Sequence, residues 1–118
     1  MSVVVATIRP QGGCRDQVVA ALENAVTRVH AEDGGCELCA LHENDDLLVM
    51  IEKWTTPEAL AAHTRSAAFA ELAGRLKGNL DSDLDVQVLA PAPAAPASKD
   101  SSETVTRPAC WLLTGPAR

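Results

Sequence analysis

The stretch M-I-E-K-W-T-T-P-E-A-L-A-A-H-T-R-S-A-A-F, residues 50–69, contains both kinds of element from which the fold is built. Its first five residues are typical of a strand, in which successive side chains alternate between faces. Met50, Glu52 and Trp54 therefore share one face. Thr56 is a preferred N-cap residue, and Pro57 suits the first position of a helix. The stretch predicts a strand that leads directly into a helix, with an acid and a large aromatic side by side.

Hydrophobic periodicity predicts the other elements. Alternating apolar and polar residues indicate strands, and apolar residues at helical spacing indicate an amphipathic helix. Glycine, proline and aspartate clusters separate these segments. The predicted elements, in chain order, are a strand at 3–9, a helix at 14–32, a strand at 36–43, a strand that ends at Trp54, a helical region at 57–80 interrupted near Ser66, and a strand at 82–90.

The predicted element order is βαββαβ. N-D-D at residues 44–46 is typical of a turn, so the second and third strands are expected to form a hairpin. The most economical closure is a four-stranded antiparallel sheet with both helices on one face, a ferredoxin-like α+β sandwich. This fold leaves the second sheet face uncovered although it carries apolar residues. We therefore expect a homodimer in which two sheets face each other.

Composition limits the possible functions. The chain has 118 residues, enough for one domain, and its net charge of −6 disfavours nucleic acid and anionic membranes as partners. No apolar run approaches the roughly 20 residues that cross a bilayer, and the N-terminal residues do not resemble a signal peptide. We expect a cytoplasmic protein whose cysteines are reduced.

Two regions are expected from composition along the chain. Residues 1–90 carry the predicted domain, and residues 91–118 begin as a Pro/Ala/Ser linker. The apolar segments T-V-T at 104–106 and C-W-L-L at 110–113 could pack as an arm on the domain or its partner. The alternative for residues 91–118 is a disordered tail.

An ordered set of motifs accompanies these elements. The strand ending in E-x-W is followed, nine positions after Trp54, by His63 and then by S-x-x-F at residues 66–69. D-G-G-C at residues 33–36 enters the second strand, and G-G-C-R-D at residues 12–16 starts the first helix. On βαββαβ elements, this set resembles the antibiotic biosynthesis monooxygenase family, including its quinol monooxygenase-like proteins.

The resemblance covers residues 3–90 and implies a dimeric α+β barrel. In characterised members of the family the reaction is a cofactor-independent oxygenation of a phenol or hydroquinone to a quinone. No metal or flavin is required there, because a deprotonated, electron-rich aromatic substrate can itself pass an electron to O2. The resemblance thus implies a small aromatic substrate and O2 as partners, and no cofactor or metal.

The resemblance also implies roles for individual residues. Trp54 would form a wall of the pocket, and His63 would accept or donate a proton, which histidine does near neutral pH. Glu52 would orient a partner or complete a polar network. The three residues predicted to bind substrate are Met50, Phe69 and Leu72.

Each role has a structural alternative. Trp54 could be a core residue, His63 could bond to a backbone carbonyl near the hairpin, and Glu52 could be a paired structural acid. The function also has alternatives, since the same fold supports isomerases, other proton-transfer enzymes and non-catalytic ligand-binding proteins. The chain contains no tyrosine, so a mechanism that needs a phenolic relay in the protein is excluded.

Two further sites are disfavoured. Cys36 and Cys39 have C-x-x-C spacing, but residues three apart on a regular strand point to opposite faces, so a shared metal or disulfide is not expected. In haem-degrading relatives the haem-ligating histidine lies about ten residues beyond the position of His63. That place is near Ala73 here, so haem degradation is not expected.

Overall fold

The computed structural model describes residues 1–93, which form four strands and three helices. The elements follow one another as β1 (Ser2–Ile8), α1 (Arg15–Glu32), β2 (Cys36–Glu43), β3 (Leu48–Trp54), α2 (Pro57–Thr64), α3 (Ala67–Leu76) and β4 (Asp85–Leu89). The predicted tail at 94–118 lies outside the described residues.

The four strands form one antiparallel sheet in the order β2-β3-β1-β4. Helix α1 packs against β2 and α3, and α2 packs against β3. This arrangement confirms the predicted ferredoxin-like α+β fold. None of the helices in residues 1–93 is long and apolar enough to cross a membrane.

The hydrophobic core lies between the sheet and α1. The predicted apolar face of α1 supplies Val18 and Leu22, which are buried against Ile8 of β1 and Leu48 of β3. Each such side chain contributes about 1.5–3 kcal/mol when it is fully removed from water. The predicted amphipathic pattern therefore identified the face of α1 that holds the helix on the sheet.

The helical region after β3 is divided by two N-caps. The Thr56 hydroxyl accepts a hydrogen bond from the Ala59 N–H at 3.1 Å, as predicted for the start of α2. Ser66 caps α3 by accepting from the Phe69 N–H at 3.1 Å, and its hydroxyl donates to the His63 carbonyl at 2.7 Å. The predicted interruption near Ser66 is confirmed, because this serine satisfies the end of one helix and the start of the next.

Some predicted boundaries are wrong by several residues. Helix α3 ends at Leu76, not at residue 80, because the chain turns at Gly78, whose φ is +84°. Glycine adopts this left-handed conformation without a steric penalty. Strand β4 begins at Asp85, since pairing with β1 starts opposite Thr7.

A β-bulge changes the facing of the two strand cysteines. Between Cys36 and Leu38 the register with β3 shifts by one residue, so Cys36 pairs with Trp54 while Cys39 pairs with Glu52. Cross-strand partners share a face, and therefore both cysteines lie on the helix side of the sheet. The prediction that they point to opposite faces is wrong, because it assumed a regular strand.

The other sheet face is not covered by any element within residues 1–93. Its central strands contribute Val3 and Val5 from β1 and Val49 and Ile51 from β3, all half-buried only by their neighbours. An apolar face of this kind is unusual on a monomer.

Candidate functional site

A cavity of about 160 Å³ lies between the helix side of the sheet and the helices α2 and α3. We call it the helix-side cavity. Leu60 of α2 and three residues of α3, Phe69, Leu72 and Leu76, face it. Its lining residues are Val4, Ala6, Ile8, Leu22, Met50, Glu52, Leu60, His63, Thr64, Phe69, Leu72, Leu76, Leu84, Val86 and Val88.

His63 is the histidine of this cavity, and its partner is a carboxylate. Its Nδ1 lies 2.9 Å from Oδ2 of Asp33, with the two side chains 9% and 19% exposed. An ionised carboxylate only accepts hydrogen bonds, so the proton of the neutral ring sits on Nδ1 and the lone pair is on Nε2. The proposed alternative of a backbone carbonyl partner is wrong, because Asp33 takes that hydrogen bond.

The backbone around Asp33 fixes this pair. Asp33 is the C-cap of α1, and its N–H donates to the Val29 carbonyl at 2.9 Å. Two residues on, Gly35 lies so close to α2 that a Cβ there would overlap the Ala59 side chain. The Thr55 N–H donates to the Gly35 carbonyl at 2.9 Å. The glycine therefore lets α2 approach the end of α1, which brings His63 to Asp33.

Trp54 lies behind His63 and not on the cavity surface. The indole is fully buried, and its ring centroid is 4.7 Å from that of His63 with the planes tilted by 31°. Its Nε1–H donates to Oε1 of Glu52 at 2.9 Å. The indole therefore supports the imidazole from one side and holds the Glu52 carboxylate, which does line the cavity. The predicted catalytic role of Trp54 stays a prediction.

The residues predicted to bind substrate converge on the same space. Met50, Phe69 and Leu72 all line the helix-side cavity. Phe69 also contacts the imidazole of His63 edge-on, with centroids 5.3 Å apart at 74°. Ser66 links the two, since it bonds to both their backbones. The structure thus brings all three to the cavity that His63 also lines, and their binding of substrate stays a prediction.

The two cysteines near Glu52 are not suited to redox chemistry. Burial, and then the negative charge of Glu52, raise the pKa of Cys39 to about 12, and burial also raises the pKa of Cys36. The thiolate is the reactive form of cysteine, so a raised pKa lowers the reactivity of each thiol. Cys39 instead packs in the core, with its Sγ 3.8 Å from Sδ of Met50.

This geometry supports proton transfer in an apolar space. The Nε2 of His63 can take a proton from a ligand while Asp33 stabilises the imidazolium that forms. Apart from Glu52, His63 and Thr64, the described lining residues are apolar, and so they favour a hydrophobic ligand.

The model of one protein family, described as antibiotic biosynthesis monooxygenase, matches residues 1–75 of the 118. The chain belongs to the antibiotic biosynthesis monooxygenase family. This match confirms the resemblance of the E-x-W, histidine and S-x-x-F motifs to that family. No curated protein matches this sequence.

Several solved structures have the same fold as this chain. The Rv0793 protein of Mycobacterium tuberculosis is 26% identical with a TM-score of 0.76, over 82% of this chain and 98% of that one. PA3566 of Pseudomonas aeruginosa is 22% identical with a TM-score of 0.70. The match covers 77% of this chain and 93% of PA3566. A structure described as antibiotic biosynthesis monooxygenase is 21% identical with a TM-score of 0.72, over 79% and 100%.

Asp33 is the residue of the site that sequence reasoning missed. In the sequence, D-G-G at residues 33–35 indicates the break between the first helix and the second strand. The same signal contains an acid at a helix end followed by glycine, which permits close approach of another element. Nothing in the local sequence indicates that the approaching element is α2 and that it carries His63.

Proposed function

We propose that this protein is a monooxygenase of the antibiotic biosynthesis type, which oxidises a small phenolic or quinol substrate with O2 and needs no cofactor. The observation that carries the proposal is the Asp33-supported imidazole of His63 at the wall of an apolar cavity. Membership of a family described as monooxygenases supports oxygenation as the type of reaction.

The first step in this proposal is proton removal. The substrate ring lies in the helix-side cavity near Phe69 and Leu72, and its hydroxyl donates to Nε2 of His63. His63 takes the proton, and the Asp33 carboxylate stabilises the resulting imidazolium. Because the surroundings are apolar, the phenolate is a stronger electron donor than it would be in water.

The second step is electron transfer to O2. One electron passes from the phenolate to O2, and the two radicals combine to form a carbon–oxygen bond. The imidazolium of His63 returns its proton to the outer oxygen of the peroxide. The O–O bond and the C–H bond of the same ring carbon then break, and the hydroxide that leaves takes up the ring proton, so water is released as the carbonyl forms. One atom of O2 ends as the new carbonyl oxygen and the other in water, so a phenol with one ring hydrogen replaced becomes a quinone.

O2 uptake tests this proposal. The purified protein is expected to consume O2 with members of a hydroquinone and anthrone panel, without added flavin or metal. His63→Ala is expected to lose turnover while it stays folded, because it removes the proton acceptor. His30→Ala is the matched control, since His30 lies on α1 and bonds to the Cys39 carbonyl. If the protein consumes no O2 with any member of the panel, the proposed oxygenase function is wrong.

A proton-transfer enzyme such as an isomerase is the second candidate. The same Asp33–His63 pair favours it, because a supported imidazole can shuttle a substrate proton without O2. Turnover under anaerobic conditions distinguishes the two reactions. If no substrate is turned over with or without O2, a non-catalytic ligand-binding protein is the remaining interpretation.

The homodimer belongs to the same proposal. The uncovered sheet face with Val5, Val49 and Ile51 supports a second copy packed sheet to sheet. Light scattering is expected to give the mass of two chains, and Ile51→Lys is expected to lower it to one. Gln17→Lys is the control, because it adds the same charge at an exposed position of α1. A monomeric wild-type protein would contradict the dimer.

A further inference from the structure

The helix-side cavity has few polar side chains, and the only fixed charge among its described lining residues is negative. Of the fifteen described lining residues only Glu52, His63 and Thr64 are polar, and none is lysine or arginine. Nδ1 of His63 is already bonded to a second carboxylate, that of Asp33. A ligand in this cavity therefore meets a negative charge on its wall, and no fixed positive charge from the described residues.

Glu52 keeps hydrogen-bonding capacity toward a ligand. A carboxylate can accept about four hydrogen bonds. Within residues 1–93 its one hydrogen bond is from the Trp54 indole, to Oε1, at 2.9 Å. The indole is fully buried and sits in a strand, so it holds the carboxylate in place at the cavity wall. The negative charge is thus fixed where a ligand would lie.

We infer that Glu52 selects for uncharged or cationic aromatic ligands that carry a hydrogen-bond donor, and rejects aromatic carboxylates and sulfonates. A donor on the ligand makes a charge-assisted hydrogen bond to the carboxylate, which is about twice as strong as a neutral one. An anionic ligand instead loses its hydration and gains only repulsion in an apolar space. The inference rests on the proposed function, because it names the substrate class of the same cavity.

This selection agrees with the order of the proposed steps. A phenol would enter as the neutral species, with one donor on Glu52 or on His63. Its proton would leave only inside the cavity, and the imidazolium that forms would then be the positive charge beside the phenolate. The protein would thereby avoid binding phenolate directly from solution.

Binding of three matched ligands to the full chain tests the inference. 2-Naphthamide and 2-naphthoate have nearly the same shape but differ in charge, and 2-naphthylmethylammonium adds a positive charge. By calorimetry at pH 7, wild type is expected to bind the amide at least about tenfold more tightly than the carboxylate. The ammonium ligand is expected to bind at least as tightly as the amide.

Two variants assign the selectivity to one residue. In Glu52→Gln the amide-to-carboxylate ratio is expected to fall to about threefold or less, mainly because naphthoate binds better. Glu58→Gln removes the same charge from an exposed position in the first turn of α2, and it is expected to leave the ratio unchanged. An equal change in both variants would overturn the inference, since net charge would then be the cause.

The other outcomes separate the inference from the proposed function. Equal wild-type affinities for amide and carboxylate would overturn the inference and leave the O2 test untouched. The expected selectivity without any O2 consumption would support the inference and remove the oxygenase reaction. If Glu52→Gln does not fold, the wild-type comparison decides, and an ammonium ligand that binds over tenfold more weakly than the amide overturns the inference. No binding of any of the three ligands would overturn it as well.

Discussion

Replacement of Asp33 by asparagine removes the charge that faces His63 but keeps the size of the side chain. In the wild-type protein Oδ2 of Asp33 lies 2.9 Å from Nδ1 of His63. The side chain of His63 is 9% exposed and that of Asp33 is 19% exposed. Hydrogen bonds to charged groups contribute about 1.5–3 kcal/mol, and partial exposure of Asp33 lets water replace some of this. We therefore expect Asp33→Asn to lower the free energy of unfolding by about 1–2 kcal/mol, or the melting temperature by about 5–10 °C.

The effect on turnover is expected to be larger than the effect on substrate affinity. Asp33 does not line the cavity, so KM should change little. The imidazolium that forms on proton transfer loses its carboxylate partner, and kcat is expected to fall by about 10–100-fold, which corresponds to about 1.4–2.8 kcal/mol of activation free energy. Steady-state O2 uptake measures both constants, and circular dichroism measures the melting temperature.

Asp45→Asn is the matched control for this experiment. Asp45 is an exposed acid in the β2–β3 turn, so the same substitution there should leave kcat and stability unchanged. The reasoning is refuted if Asp33→Asn keeps kcat within about twofold of wild type while His63→Ala is inactive. The Asp33 carboxylate would then contribute to stability and not to turnover.

Three further outcomes follow from the local structure. Gly35→Ala is expected to cost about 1–3 kcal/mol of stability, because its Cβ would overlap the Ala59 side chain, whereas Gly34→Ala has open space and should be near neutral in chemical denaturation. Ser66→Ala loses the cap of α3 and is expected to cost about 1 kcal/mol, and an unchanged denaturation midpoint would contradict this. The pKa of Cys39 is raised to about 12, so little of its thiol is ionised at pH 8. Cys39 is therefore expected to react with iodoacetamide about 1000-fold more slowly in the native than in the unfolded protein. Peptide mass spectrometry measures the two rates.

The alternation of side chains in β3 determined part of the site in advance. Met50, Glu52 and Trp54 were predicted to share one face, and they do, because strand periodicity is fixed by the backbone and does not depend on neighbours. The caps at Thr56 and Ser66 were equally local, since a hydroxyl bonds to an N–H only three residues away. These local signals were sufficient to predict the order of the elements and to place His63 on the helix that follows the E-x-W strand.

Tertiary structure alone decided three features of the site. These are the sheet face that the helices cover, the hydrogen-bond partner of His63, and the sheet face on which the two cysteines lie. Asp33 lies thirty residues before His63, and a contact at that separation depends on the approach of α2 to the end of α1 over Gly35. The bulge after Cys36 depends on pairing with β3, which shifts the register by one residue. Sequence periodicity therefore determined which side chains share a face of one element. Packing between elements decided that the face of Glu52 and Trp54 is the one under the helices, where His63 and the cavity are.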